Sequence, residues 1–208
     1  MSNLHKDFEI IRDYYEEGKF LYKKDRITIY PRVTVLVGCN GAGKSTLLKQ
    51  IKRQLDKDEI EYYSYDNKDD GRFAKDRALL SEDFSTLSAL CFSSEGEETV
   101  VKMNNVALGI GNYVRTNSQN QLWILLDAID SGISIDNILD FKDLFNLVIE
   151  DFKHKEVYII VSANTYEMCK DENCFDVQNG VYRSFISYDD YKQFILDSNK
   201  FKRKALEG

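Results

Sequence analysis

The chain has 208 residues, of which 43% are apolar and 30% charged. That is enough for one sizeable core and is ordinary for a soluble globular protein. Its net charge of −7 argues against a protein whose main business is coating nucleic acid, since such proteins usually carry a basic excess.

The one locally basic run, "KFKRK" at 200–204, reads as a solvated helix end, where cations are favoured. It leaves nucleic-acid contact open but disfavoured. Apolar runs such as "LWILL" and "VYIIV" are too short to span a bilayer. The start "MSNLHKDFEI" lacks a basic region followed by an apolar stretch, so no signal peptide is expected. Cys39, Cys91, Cys169 and Cys174 show no metal spacing. The expectation is therefore a cytoplasmic protein with reduced thiols and no membrane partner.

With no repeat, no low-complexity segment and a single proline, Pro31, residues 1–208 read as one domain. In chain order, the first twenty residues are ambiguous, with Phe8, Ile11 and Tyr15 leaning helical. "RITIYPRVTVLVG" reads as two strands broken at Pro31, the second a buried strand from Val33 to Val37. Leu47, Leu48, Ile51 and Leu55 then recur at helical spacing. "EIEYYSY" is a strand. Residues 95–116 set Val100, Met103, Val106 or Ala107, Ile110 and Val114 on one helical face. "LWILLD" is a buried strand, Ile138 to Phe152 a helix, and "VYIIVSAN" another buried strand. "CFDVQNGVYRSFIS" is a hairpin, with Asn179-Gly180 supplying the positive φ angles of a tight turn. "SYDDYKQFIL" opens a last helix, with Ser187 and Asp190 spaced as a capping box. Alternating buried strands and helices predict an α/β fold, a mostly parallel sheet flanked by helices, with a C-terminal β-hairpin and helix.

The segment Gly38-Cys39-Asn40-Gly41-Ala42-Gly43-Lys44-Ser45-Thr46 fits the phosphate-loop pattern G-x-x-x-x-G-K-[ST]. The glycines let backbone N–H groups turn inward around a phosphate. The helix that follows adds its N-terminal dipole and free amides. In this pattern Lys44 reaches the β/γ oxygens and the Ser45 hydroxyl ligates Mg²⁺. Its place between a buried strand and an amphipathic helix is the context that the pattern requires, so a P-loop NTPase fold is expected, with ATP and Mg²⁺ as cofactors. The second half of such a site is an acidic residue ending another buried strand. Asp127, after the apolar run Leu122 to Leu126, takes that place as a Mg²⁺ residue.

"CFSSEGEETVV" separates these elements from those of many other nucleotide-binding chains. Ser93-Ser94-Glu95-Gly96-Glu97 opens a helix ahead of "LWILLD" and resembles the L-S-G-G-Q or L-S-G-G-E signature of ABC-type ATPases. Ser94 would be the signature serine and Gly96 the second glycine, with Glu95 in place of the first. Read alone, the same residues make an ordinary helix N-cap. "GCNGAGKST" is similar to the variant found in ABC ATPases of the SMC and RecF branches, "LLDAIDSGIS" to their "LLDE-x-D-S-G-L-S" segment, and "IIVSAN" to their switch-histidine strand. About 50 residues separate Ser45 from Ser94, too few for a coiled-coil arm. The resemblance is thus to a compact head, similar to small phage ATP-binding proteins of this kind.

The resemblance implies an ATP-gated head-to-tail homodimer, with Ser94 of one head over the γ-phosphate held at Lys44 of the other. Two departures weaken hydrolysis. The family's water-orienting glutamate is Ala128 here, and its switch histidine is Asn164. Losing a general base typically costs about 10²–10⁴ in rate. Asp130 can substitute as the base if the turn aims it inward; otherwise it caps the turn. The family's glutamine loop is also missing, and Asp66 or Asn67 are the nearest polar residues. Three readings follow: a slow ABC-type ATPase with Lys44, Asp130 and Asn164 as catalytic candidates; a non-hydrolysing nucleotide sensor that grips a protein partner; and a nucleotide kinase, ranked last because no arginine-rich lid is seen.

Overall fold

The computed structural model describes residues 4–11, 21–67 and 95–207. Strands β1 (Lys6–Glu9) and β2 (Arg26–Ile29) pair antiparallel as a separate ribbon. Strand β3 (Arg32–Val37) runs into a glycine-rich turn and then helix α1 (Lys44–Lys57). There follow β4 (Tyr62–Asp66), α2 (Glu95–Thr116), β5 (Gln121–Asp127) and α3 (Ile135–Asp151). The chain continues with β6 (Glu156–Ser162), the short α4 (Tyr166–Cys169), β7 (Asn173–Asp176), β8 (Val181–Arg183) and α5 (Tyr188–Glu207).

The six-stranded sheet has the order β4-β5-β6-β3-β7-β8. Every neighbouring pair is parallel except β7 with β8. This is the predicted α/β fold, and the C-terminal hairpin extends the same sheet. The central strands β3, β5 and β6 are nearly continuous buried apolar runs because both of their faces are covered. On β5, Leu122, Ile124 and Leu126 face a cluster with Val106 and Ile110 of α2 and Phe141 and Phe145 of α3. Trp123 and Leu125 face the other way, towards Phe8, Ile29, and Leu47, Ile51 and Leu55 of α1. Trp123 lies directly opposite Tyr158 of β6. Their rings stack 4.0 Å apart and 2° from parallel. Burial of one such aromatic side chain stabilises by about 1.5–3 kcal/mol.

Three local expectations are corrected. Phe8 lies in a strand, opposite Ile27, and Ile11 lies outside any helix. The helical lean fails at Phe8 and Ile11, because β2 offers Lys6–Glu9 a ladder of backbone partners; Tyr15 lies outside the described residues. In the hairpin only Gly180 has a positive φ, 63°. The connection is longer than a two-residue turn, because the Asp176 side chain accepts from the amides of Gln178 and Asn179 and holds both. The capping box on α5 forms with a shift. The Asp190 amide donates to Ser187 Oγ at 3.2 Å, but the Asp190 carboxylate reaches back to the amide of Ile186. On α2, Val106 is buried and Ala107 is not. Among the described residues no helix is long and apolar enough to cross a membrane.

Candidate functional site

Strands β3, β5 and β6 are adjacent and parallel, so their carboxyl ends share one edge of the sheet. Ligands of open α/β sheets bind at that edge. A cleft of about 460 Å³ opens there, a volume in the range of small-molecule sites. It is lined by Asn40, Gly41, Gly43, Lys44, Ser45 and Thr46 from the turn after β3. Asp127, Ala128 and Ser131 come from the end of β5, and Ser162 and Asn164 from the end of β6.

The turn is shaped for an anion. Gly43, at the N-cap of α1, has φ 100°, a left-handed conformation that costs a side-chain residue about 1 kcal/mol or more. A Cβ there would also lie 2.5 Å from the Tyr22 hydroxyl, which donates to the Gly43 carbonyl at 2.6 Å. No side chain caps α1 and its first turn holds no acidic residue, so its leading amides face the cleft without an anionic competitor.

Lys44 is buried, and its Nζ donates to the carbonyls of Gly38 at 2.7 Å and Cys39 at 3.4 Å. Burial pushes its pKa below the ordinary lysine value, opposed by Cys39, Asp130 and Asp127 nearby. An ammonium with two carbonyl dipoles for partners is poised to exchange them for a phosphate. Gly38, Cys39 and Ala42 back the loop. The Ala42 amide donates to the Cys39 carbonyl at 3.0 Å.

Asp127 is buried at the end of β5, and its Oδ1 accepts from the Ser162 hydroxyl. The Ala128 amide donates to the same hydroxyl oxygen at 2.9 Å. Ser162 thus clamps both residues; sequence reasoning passed over it, although it is the polar end of the buried run "VYIIVS". Ala128 has φ 52°, so the turn after Asp127 is left-handed at a residue with a side chain. Asn67 ties this turn to β4, its amide side chain donating to the carbonyls of Ala128 at 3.2 Å and Ser131 at 3.0 Å.

Asp130 is 2% exposed and does not line the cleft. Its Oδ2 accepts from the amides of Asn164 (2.6 Å) and Thr165 (2.8 Å) and from the Thr165 hydroxyl (2.9 Å). Its Oδ1 is buried without a hydrogen-bond partner. The carboxylate therefore locks the loop that presents Asn164 to the cleft. Gly96 lies in the first turn of α2, which begins at Glu95. Ser93 and Ser94 lie outside the described residues.

ATP and Mg²⁺ fit this donor set. The bare glycine turn and uncapped helix suit a polyphosphate, and the Ser45 hydroxyl and Asp127 carboxylate line one cleft. Among the described residues no group of three His, Cys, Asp or Glu side chains forms a metal site. Mg²⁺ suits such a sparse set, because it is usually bound through one or two carboxylates plus substrate phosphates and water.

Comparison with curated proteins and with solved structures returned no match. A family model described as an AAA domain matches residues 28–167, a stretch holding the whole cleft and about two thirds of the chain. The chain belongs to this AAA-domain family of nucleotide-binding P-loop NTPases.

Proposed function

We propose that this protein is a cytoplasmic ABC-type ATPase of slow or atypical hydrolysis, whose output is an ATP-gated head-to-tail homodimer. The observation that carries the reading is the cleft itself. Lys44, Ser45 and Asp127 converge there, while the position beside Asp127 holds only the methyl group of Ala128. Lys44 and the amides of the 38–46 turn hold the phosphates. Ser45 and Asp127 would hold Mg²⁺, which when bound would supply charge neutralisation for the phosphates. Ser162 aims Asp127, and Asp130 sets the position of Asn164 through the backbone. Asn164 can donate a hydrogen bond to a γ-phosphate but takes up no proton. The "SSEGE" segment, whose last three residues open α2, supports the dimer, since in the chain order it takes the place where the ABC resemblance puts a second anion site.

A second reading, a nucleotide-sensing regulator that does not hydrolyse and grips a protein partner, is favoured by a separate observation. Among the described residues, Asp127 is the one carboxylate lining the cleft. Calorimetry with Mg·ATP tests what both share. Lys44→Ala is expected to weaken binding roughly ten- to a hundredfold, the loss of a charge-assisted hydrogen bond of about 1.5–3 kcal/mol. Unchanged affinity overturns the assignment. Steady-state phosphate release by the parent protein then separates ATPase from regulator.

A further inference from the structure

The basic run at 200–204 was left without a function by the sequence, and the fold brings one of its lysines to the phosphate loop. Helix α5 docks against the outer half of that loop. Ser198, buried on α5, accepts from the Cys39 amide at 2.9 Å and donates to Gln178 Oε1 at 2.7 Å. One helical turn later, on the same face, Lys202 Nζ donates to the Asn40 carbonyl at 2.7 Å. A Cβ built on Gly41 would meet that Nζ at 3.4 Å, so the ammonium lies directly over the Gly41 backbone. Asn40 and Gly41 both line the cleft.

We propose that Lys202 is a second phosphate-binding cation of the nucleotide site, recognising the polyphosphate chain from outside the loop while Lys44 grips it from within. The inference rests on the nucleotide reading above. Its physical basis is the shared arrangement of the two lysines. The carbonyls of Gly38 and Cys39 hold one ammonium and that of Asn40 holds the other. A carbonyl dipole is a weaker partner for an ammonium than an ionised phosphate, so a polyphosphate entering the loop draws both across. The buried Ser198 bond fixes the helix one turn away, which limits the conformational freedom Lys202 gives up on binding. Lys200, by contrast, is paired with Asp197 at 3.0 Å, and Arg203 and Lys204 are exposed on other faces.

Calorimetry on the full chain with Mg·ATP, and separately with inorganic tripolyphosphate, tests this. Lys202→Met keeps the aliphatic stem and removes the charge. It is expected to weaken both ligands roughly three- to tenfold, with the melting temperature of the nucleotide-free protein unchanged. Lys202→Arg is expected to recover most of the loss, and Lys204→Met to bind like the parent. Equal binding by Lys202→Met, or an equal loss in Lys204→Met, overturns the proposal. A loss confined to Mg·ATP overturns the phosphate assignment, because Lys202 then meets the nucleoside. If the parent binds Mg·ATP through Lys44 but is indifferent to Lys202, this inference alone falls. If the parent binds neither ligand, the nucleotide reading falls and takes this one with it.

Discussion

Asp130 offers the sharpest test of how the site is organised, because its two roles predict opposite behaviour from one isosteric change. Its Oδ2 accepts from two backbone amides and a hydroxyl across the β5 and β6 loops. Asp130→Ala strands both amides. Each stranded buried donor costs about 1–3 kcal/mol. Because Asn164 is exposed and Thr165 half-buried, water recovers part of this, and about 2–3 kcal/mol in total is expected. For a chain of this size that lowers Tm by roughly 5–10 °C. Asp130→Asn keeps an acceptor oxygen for the same donors and places its NH₂ where Oδ1 had no partner. The Tyr191 hydroxyl is likewise buried without a hydrogen-bond partner, and its pKa is raised by burial first and then by nearby charges that include Asp130. The Asn variant should therefore lose only about 1 kcal/mol, the difference between a charged and a neutral acceptor. Thermal melts of the two variants read the structural role whether or not the parent hydrolyses ATP. Phosphate release at saturating Mg·ATP reads the chemical one. A positioning residue leaves Asp130→Asn within about tenfold of the parent, whereas a general base loses about 10²–10⁴. Abolished turnover in a well-folded Asp130→Asn refutes the positioning argument, and an unchanged Tm in Asp130→Ala refutes the hydrogen-bond reasoning beneath it.

Ala128→Glu should raise kcat at least about tenfold, by restoring a water-orienting carboxylate beside Asp127. The backbone is already left-handed there with a side chain in place, so the change adds little strain. Burst and steady-state phosphate release check it, and no gain means that the missing glutamate is not what limits the parent. Ser94→Arg should abolish an ATP-dependent dimer while the parent shifts from monomer to dimer with Mg·ATP. Light scattering decides, and a mutant that dimerises normally returns Ser94 to an ordinary N-cap.

What the sequence by itself determined is what neighbours in the chain can encode. The phosphate loop was legible because strand, glycine turn and helix follow one another from Val33 to Leu55, each carrying its own pattern. Asp127 was legible because an unbroken apolar run must end where the strand leaves the core. The bounds of α2 were legible because its apolar spacing persists from residue 95 to 116. Phe8 and Ile11 make too short a pattern to fix a helix, and the pairing of Phe8 with Ile27 was decided in three dimensions. So were the contacts that arm the site. Ser162 and Asp127 are 35 residues apart, Asp130 and Asn164 are 34 apart, and Lys202 and Asn40 are 162 apart. A single hydrogen bond between distant residues imposes no periodicity and no turn chemistry on either segment. Only the parallel sheet, by setting the ends of β3, β5 and β6 on one edge, and α5, by packing back across the first of them, bring these side chains within reach.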